Sequence, residues 1–346
     1  MRAATFFDGG KWREGALEVV EGRMLLRTDV ATDGLARLDG VVSGGFTDHH
    51  VHLQLVDTSG LAGSALGRVV DLGANLAEIV RIAAAHRSSG TPAASAPSDS
   101  PAASEEERAS AGRDGVRIEF AGAFLTAPGG YPTDRVWAPE GSFREIADPD
   151  EASAAVAEMA DAGASAVKIT SNTVAGPVFG TELFAAVVDL AAAHGLAVIV
   201  HAEGPGEAQR VVRLGAPRLA HAPFTERLDD DDIAEQAASA SWISTLAVHD
   251  PDARAIAIDN VRRFHAAGGS VLYGTDMGNG PTPVDVSPAE IAALREAGVV
   301  GDALLRALDP LDPREPDAPL LLFPGASPAT ADPLRARRLT AADLKV

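Results

Sequence analysis

The sequence of 346 residues contains no cysteine. Disulfide bonds, thiolate nucleophiles and cysteine metal ligands are therefore excluded. Any transition metal bound by this chain must take its ligands from histidine and carboxylate side chains. The nine histidines are for this reason the main candidate ligands.

Basic residues are also few, because 29 Lys and Arg against 49 Asp and Glu give a formal net charge of −20. Without a dense basic cluster, we expect no nucleic-acid partner and no anionic membrane partner. No apolar run approaches the roughly 18 residues of a membrane-spanning helix. The N-terminal residues lack the apolar core of a signal peptide. We expect a cytoplasmic protein that acts on a small-molecule substrate.

Two patterns divide the chain. Residues 1–44 alternate short apolar runs with glycine-containing turns, which predicts a small β-rich accessory module. From Gly45 onward, short β-rich runs alternate with alanine-rich amphipathic stretches, as in βα units around a parallel sheet. Strands are predicted near 45–53, 67–72, 116–125, 165–170, 196–201, 217–222, 241–247 and 270–276. Helices are predicted near 75–87, 150–162, 181–194, 205–214, 229–239, 255–267 and 288–308. The pattern predicts an α/β fold with a (β/α)8 TIM barrel over 45–316.

Two segments fall outside this repeat. Residues 88–114 are rich in Pro, Ser and Ala and lack large apolar side chains, so we predict a disordered insertion opposite the active site. Residues 317–346 are rich in Pro with a short apolar patch at 320–323. We expect this C-terminal segment to complete the N-terminal β module.

Three of the nine histidines lie within four residues, in the run Asp48-His49-His50-Val51-His52. Alternate side chains of a strand share a face, so His50 and His52 are predicted to point the same way and His49 the opposite way. Two imidazoles that converge from one strand suit a divalent metal such as Zn²⁺. The alternative is a polar strand end whose histidines bind nothing.

Lysine is scarce, and two of the three lysines lie near the termini. The third, Lys168, lies in the apolar run 164–170, which is predicted to be a strand. A buried ammonium group is costly unless it is paired, neutralised or chemically altered. Lys168 is therefore a candidate for a chemical role.

Polar side chains also end other predicted strands. Lys168, His201, His221 and Asp276 stand at the ends of the fourth, fifth, sixth and eighth strands. In a closed barrel these four residues project into the same mouth as the histidines of the first strand. Taken singly, His201 and His221 have a simpler explanation as hydrogen-bonded core histidines, and Asp276 as a turn cap. The combination favours a site.

The run Gly-Phe-Thr-Asp-His-His-Val-His at 45–52 resembles the His-x-His signature that ends the first strand in the amidohydrolase superfamily. The four residues at the later strand ends match the positions of that superfamily's bridging lysine, two further histidines and aspartate. Segments 69–73, 129–130 and 267–276 are most similar to the imidazolonepropionase and prolidase-like cyclic amidohydrolases. The resemblance extends over roughly residues 1–310.

This resemblance implies a centre of two divalent metal ions, with Zn²⁺ as the expected ion. Its ligands would be His50, His52 and Asp276 for one metal, His201 and His221 for the other, and Lys168 between them. Carboxylation of Lys168 by CO₂ turns a costly buried cation into an anionic bidentate ligand, which two dications would stabilise. Asp276 would accept the proton of the attacking hydroxide and pass it to the leaving group. Lys168 and Asp276 are thus the expected catalytic residues.

The leading hypothesis is a metal-dependent hydrolase that cleaves an amide, a cyclic amide or an ester with a hydroxide held between two metals. One alternative is a mononuclear deaminase or imidazolonepropionase-like hydrolase with unmodified Lys168. Against a deaminase, Glu203 follows His201 at an unusual offset. Another alternative is a non-catalytic, metal-stabilised barrel.

Substrate contacts are predicted from residues that should overhang the mouth. The loop 126–147 leaves the C-terminal end of the third strand and carries Tyr131, Arg135 and Trp137, and His249 follows the seventh strand. An Arg and a Tyr could grip a carboxylate, which suits N-acyl amino acids, dipeptides or hydantoin-like rings. The sequence leaves open whether the chain forms a homo-oligomer.

Overall fold

The computed structural model describes residues 1–20, 23–88 and 115–345. The insertion predicted at 88–114 lies, apart from its first residue, outside the described residues. The architecture is α/β, with a parallel barrel wrapped by helices and a separate β-rich sheet. The predicted fold class, a TIM barrel with a β-rich accessory module, is confirmed.

The accessory sheet contains strands from both ends of the chain. Its strands are β1 (Arg2–Phe7), β2 (Trp12–Val20), β3 (Arg23–Arg27), β4 (Arg37–Gly44), β15 (Leu320–Pro324) and β16 (Arg337–Arg338). The strand order is β16-β15-β4-β1-β2-β3, and β15 pairs with β4 in antiparallel fashion. Phe6, Leu17, Val42 and Leu322 form part of its own small core. The apolar patch at 320–323 thus lies within this sheet, while the domain boundaries stay a prediction.

The barrel begins immediately after β4. Its strands are β5 (Phe46–Val51), β6 (Leu66–Asp71), β7 (Arg117–Phe120), β8 (Phe124–Thr126), β10 (Ala166–Asn172), β11 (Ala197–Glu203), β12 (Arg218–Leu219), β13 (Ser241–Ile243) and β14 (Ser270–Leu272). The short β9 (Phe143–Glu145) pairs in parallel with β8, on the edge of β8 that faces away from β10. The amide of His49 donates to the carbonyl of Tyr273 at 3.0 Å, and Val51 bridges Met277. These contacts join the last barrel strand to the first.

Two predicted elements are interrupted. The predicted third strand, 116–125, consists of β7 and β8, which pair with different neighbours around a break at 121–123. The predicted helix over 288–308 is two helices, because Gly298 and Gly301 adopt positive φ angles of 85° and 56°, which glycine tolerates without a steric cost. The predicted strands at 217–222, 241–247 and 270–276 are also shorter than expected, because their C-terminal residues lie beyond the last paired residues of the sheet.

Helices cover the outside of the barrel. They are α1 (Leu76–Ser88), α2 (Pro149–Asp161), α3 (Thr181–Ala193), α4 (Glu207–Arg213), α5 (Asp230–Ser239), α6 (Pro251–Ala266), α7 (Pro288–Glu296) and α8 (Asp302–Ala307). Asp250 caps helix α6, because its side chain accepts the amides of Asp252 and Ala253, and Pro251 is the first residue of the helix; this is a favourable N-terminus. In the core, the rings of Trp242 and Phe264 stack at 3.8 Å. Within the described part of the chain, no helix has both the length and the apolar character to cross a membrane.

Candidate active site

The first barrel strand directs its two adjacent histidines differently. The register between β5 and β6 shifts between Asp48 and Val51. His50 lies against Asp276, with 3.3 Å between Nε2 and Oδ1. His49 instead places its Nε2 3.1 Å from Oδ2 of Asp309. Because adjacent side chains of a strand point to opposite faces, His50 belongs to the candidate site and its neighbour His49 does not.

Backbone carbonyls fix the orientation of His50 and His52. Nδ1 of His50 lies 2.8 Å from the carbonyl oxygen of Ala220, and Nδ1 of His52 lies 2.9 Å from that of Gly73. A carbonyl only accepts, so both Nδ1 atoms carry a proton, and Nε2 is the atom that holds the lone pair when the imidazole is neutral. Such a second hydrogen bond is the usual support of a metal-binding histidine. One ligand atom each from His50, His52 and Asp276 lie within 4.8 Å of one another.

Asp276 is positioned by its own strained turn and by its neighbours. It has a positive φ of 55°, which is uncommon for a residue with a Cβ and recurs at functional sites. Nδ2 of Asn279 donates to Oδ1 of Asp276 at 2.9 Å. Buried Asp48 accepts from the amide of His50 at 3.1 Å and from the hydroxyl of Thr275 at 2.6 Å. Asp48 therefore links the strand of His50 to the turn of Asp276.

The charge state of Asp276 reflects the same neighbours. Burial by itself raises the pKa of Asp276, but His50 and His52 outweigh this effect and leave the pKa well below its ordinary value. Burial also lowers the pKa of His50 and of His221 well below the usual range. Burial also acts to lower the pKa of His52, but its hydrogen bond to Asp276 outweighs burial and leaves that pKa raised. The site therefore offers an anionic carboxylate beside the neutral imidazoles of His50 and His221, and carboxylate and imidazole are the donors that Zn²⁺ prefers.

Lys168 lies inside the barrel on β10, with only 1% of its surface exposed. Its Nζ is 3.4 Å from Nε2 of His50. Burial lowers the pKa of Lys168 to about 7, although Asp276 and Asp71 act in the opposite direction. A substantial fraction of this amine is therefore neutral near pH 7, and a neutral amine is the form that can react with CO₂.

His201 is oriented by a carboxylate instead of a carbonyl. Its Nε2 lies 2.9 Å from Oε2 of Glu203, and Nδ2 of Asn172 donates to the same oxygen at 2.6 Å. The hydrogen bond from His201 lowers the pKa of Glu203. Because an ionised carboxylate only accepts, Nε2 of His201 donates and Nδ1 keeps the lone pair. Nδ1 of His221 lies 2.8 Å from the hydroxyl of Thr245, which leaves its Nε2 free.

The six predicted strand-end residues line one cavity of about 300 Å³. The ring centroids of His50 and His221 are 4.7 Å apart, and those of His201 and His221 are 4.8 Å apart. The tight three-ligand group of His50, His52 and Asp276 does not include His201 or His221. The structure thus brings all six residues to one cavity, but only His50, His52 and Asp276 have their ligand atoms close to one another.

The predicted substrate contacts divide in the structure. Tyr131, Trp137 and His249 line the cavity. Arg135 does not line it, because its guanidinium carbon lies 5.6 Å from the centre of the Tyr131 ring and its side chain pairs with Asp134 at 3.3 Å. A contact between Arg135 and substrate stays a prediction.

Several lining residues were missed by sequence reasoning: Phe124, Thr170, Phe224, Val248 and Asn279. Thr170 had a signal, because it follows Lys168 by two positions on the same strand face. Its hydroxyl donates to the carbonyl of Tyr131 at 2.6 Å and so anchors the loop. Phe224 and Val248 had no comparable signal, since both lie beyond their strands.

Comparison with known proteins agrees with this geometry. Residues 41–301 match the model of the amidohydrolase family. Among solved structures, a Xaa-Pro dipeptidase with bound methionine in its active site is 17% identical with a TM-score of 0.66, covering 97% of this chain and 96% of that chain. The ochratoxinase of A. niger is 15% identical with a TM-score of 0.67, covering 98% and 94%. Phenylurea hydrolase B is 15% identical with a TM-score of 0.66, covering 98% and 95%. At such identities the similarity shows the fold alone.

No curated protein matches the chain. The family match extends over most of the sequence and over all six strand-end residues. The family match makes the chain a hydrolase that acts on carbon–nitrogen bonds. The chain belongs to the amidohydrolase family, whose members are metal-dependent, and His50, His52 and Asp276 form a group suited to a metal.

Proposed function

We propose that this protein is a binuclear metal hydrolase that cleaves an amide, a cyclic amide or an ester of a small molecule. The proposal rests on one observation, the convergence of His50, His52 and Asp276 beside a buried lysine from a different strand. Three ligands with free lone pairs fit one ion. Lys168 in carboxylated form, His201 and His221 extend the donor set toward a second ion.

Two bound Zn²⁺ ions would lower the pKa of a water molecule and polarise the scissile carbonyl group. The residues of the chain have separate roles in this proposal. Asp276 holds a negative charge at neutral pH and accepts the proton released on attack, then delivers it to the leaving nitrogen or oxygen. Lys168 as a carbamate contributes an anion that offsets the charge of the ions.

The cavity limits the size of the substrate. A volume of about 300 Å³ is at the lower end of the range for small-molecule sites. Five of the six strand-end residues are buried inside the barrel, with exposed fractions between 1% and 7%. We infer a substrate of low molecular weight whose reacting bond enters the cavity.

The test is hydrolysis by purified protein, first stripped of metal and then reloaded with Zn²⁺ and bicarbonate. The substrates are N-acyl amino acids, dipeptides, cyclic amides and lactones. We expect hydrolysis of at least one class by the reloaded protein and none by the stripped protein. Activity that is independent of metal would contradict the proposal. A barrel with a purely structural metal would bind Zn²⁺ and hydrolyse none of these substrates.

A mononuclear hydrolase or deaminase is the second candidate, because the tight group contains three ligands and Glu203 holds Nε2 of His201. The two proposals predict different chemical states of Lys168, which is carboxylated in the binuclear centre and unmodified in the mononuclear enzyme. Growth or reloading with ¹³C-bicarbonate should give a carbamate carbon signal that disappears in Lys168→Met if the centre is binuclear. An active protein with one metal per chain and no such signal would favour the mononuclear enzyme.

A further inference from the structure

Aromatic side chains are concentrated around the cavity. Aromatic residues make up 5% of the chain, yet four of the fourteen lining residues are aromatic: Phe124, Tyr131, Trp137 and Phe224. The chain has only two tyrosines, and the other one, Tyr273, is fully buried in the core. The rings at the cavity therefore need an explanation beyond average composition.

The first aromatic wall is formed by Phe124, Tyr131 and Trp137. The centroid of Trp137 lies 6.3 Å from that of Phe124 at an interplanar angle of 78°, and 6.0 Å from that of Tyr131. Tyr131 and Trp137 are only partly buried, so part of each ring is accessible. The hydroxyl of Thr170 holds the carbonyl of Tyr131, which fixes this wall to the barrel.

The second wall is formed by Phe224 and His249. Their rings stack at 4.1 Å with an interplanar angle of 26°. The imidazole of His249 is planar, so it extends the Phe224 ring as a second flat surface. Both side chains are partly buried and line the cavity.

The two walls lie on either side of the candidate metal ligands. Tyr131 stacks on His201 at 5.1 Å and 25°, and the ring of Phe224 lies 6.0 Å from that of His221. His201 and His221 are in turn neighbours at 4.8 Å. A group attached close to the scissile bond would therefore have aromatic rings near it, beside both His201 and His221.

Charged side chains are absent from these walls. Apart from Lys168, Asp276 and the histidines, the described residues that line the cavity are aromatic, aliphatic or neutral polar. Arg135 lies outside the lining and is paired with Asp134. The side chains of the walls thus offer apolar ring surface to a part of the substrate that extends beyond the reacting bond, and the fixed charge of the Arg135 guanidinium lies 5.6 Å from the centre of the Tyr131 ring.

We propose that the substrate carries an uncharged aromatic ring next to the scissile amide or ester bond, and that this ring packs against the wall of Phe124, Tyr131 and Trp137. This inference rests on the proposed function of the same site. Aromatic pairs add a preference beyond that of buried area, equivalent to a factor of about 2 to 10 in affinity. A saturated ring of similar size gains the apolar burial but not this preference.

The test compares matched ligands by titration calorimetry with the Zn²⁺-loaded protein at pH 7. N-benzylacetamide against N-(cyclohexylmethyl)acetamide places the ring on the amine side. The methylamides of phenylacetic and cyclohexylacetic acid place it on the acyl side. We expect the phenyl compound to bind about fivefold more tightly in one of the two pairs. Phenylacetylglycine should bind no more tightly than its neutral amide.

Variants assign the preference to the wall. Trp137→Leu should reduce the phenyl preference to less than about twofold, whereas Trp137→Phe should retain it. The matched control is Trp12→Phe, because Trp12 lies in the accessory sheet and bonds to Asp302 at 2.9 Å. This control should leave the preference unchanged.

Two results would overturn the inference: equal or tighter binding of the cyclohexyl compounds in both pairs, or a phenyl preference that Trp137→Leu does not reduce. Tighter binding of phenylacetylglycine than of its amide would also overturn it, because that result indicates a carboxylate site. Failure of the proposed function is a separate outcome, seen as absent metal-dependent hydrolysis while the phenyl preference in binding persists.

Discussion

Two adjacent residues, His49 and His50, lead to two polar clusters of different character. His50 joins His52, Lys168 and Asp276 at the cavity, where burial lowers the pKa of the lysine and His52 hydrogen-bonds to the carboxylate. His49 joins Asp309, which also pairs with Arg68, toward the opposite ends of the strands. We call the group at the cavity the upper cluster and the group around Asp309 the lower cluster. In the lower cluster the carboxylate of Asp309 is paired with the basic side chains of His49 and Arg68.

The difference separates a candidate binding site from a structural cluster. In the lower cluster, Asp309 has both an imidazole and a guanidinium partner, and Thr47 donates to its carbonyl at 2.7 Å. In the upper cluster, Asp276 faces His50, His52 and His221, and both Asp276 and Asp71 act on Lys168. Imidazole and carboxylate donors buried together are the ligand set expected where a transition metal binds. A substitution in the upper cluster should therefore change activity or metal binding, whereas a substitution in the lower cluster should change only the stability of the fold.

The largest effect is expected for Asp276→Asn. An amide cannot accept the proton during attack, so kcat/KM should fall by a factor on the order of 10²–10⁴. Loss of a metal ligand adds to this effect. The measurement is steady-state kinetics on the best substrate of the hydrolysis screen. Asp231→Asn, at an exposed position of α5, should retain full activity; equal losses in both variants would remove any special role for Asp276.

The second prediction concerns the pH dependence of metal loading. CO₂ reacts with the neutral amine, and burial lowers the pKa of Lys168 to about 7. At fixed CO₂ pressure, activation of metal-free protein by Zn²⁺ should therefore be slow below pH 7 and reach a plateau above it. The recovery of activity with time gives the rate at each pH. A rate that continues to rise through pH 9 would show that the amine has an ordinary pKa and is not buried as described.

A smaller effect is expected for Glu203→Gln. Glutamine keeps the length of the side chain but replaces the charged acceptor of His201, so metal affinity should fall by a factor of about 10 to 100. Competition with a chelator measures this affinity, and the exposed Glu182→Gln in α3 serves as the control. Unchanged affinity in Glu203→Gln would mean that His201 needs no anionic support to bind metal.

The smallest effect is expected in the lower cluster, for Asp309→Asn. Asparagine tolerates the positive φ of 40° at this position, so the change mainly removes charge. We expect a loss of about 1 kcal/mol in the free energy of unfolding, because the side chain is partly exposed to solvent. Denaturant unfolding at pH 7 measures it, and metal content should be unaffected.

The pH dependence of this stabilisation has a definite sign. The pKa of Asp309 is lowered in the folded chain: burial raises it, but pairing with His49 and Arg68 outweighs burial. The stabilisation is therefore present above the ordinary carboxyl pKa of 3.8 and is lost as the pH falls below it. A metal content that falls in Asp309→Asn would contradict the separation of the two clusters.

Sequence reasoning reached the upper cluster because its residues follow regular strand patterns. His50, His201 and Lys168 each stand in or at the end of an apolar run, and the barrel topology converts these positions into neighbours. The period of the pattern also separated His49 from His50. What the pattern did not contain was the register shift between Asp48 and Val51, because a bulge depends on the partner strand.

The rest of the site depends on contacts between distant segments. The ring of Phe224 lines the cavity while stacked on the ring of His249. The side chain of Asn172, on the neighbouring strand, donates to the carboxylate of Glu203 and helps to orient it. Arg135 was predicted to overhang the mouth, but pairing with Asp134 keeps it outside the lining. Such pairings follow from loop geometry, for which a local pattern carries little information.

The most direct test of the account is the number of metal ions per chain, measured by inductively coupled plasma mass spectrometry after reloading with Zn²⁺ and bicarbonate. We expect two ions per chain in the parent protein and in Lys11→Met, and one or fewer in Lys168→Met, because the carbamate holds the pair together. A fully active parent protein with a single ion, unaffected by Lys168→Met, would contradict the binuclear centre.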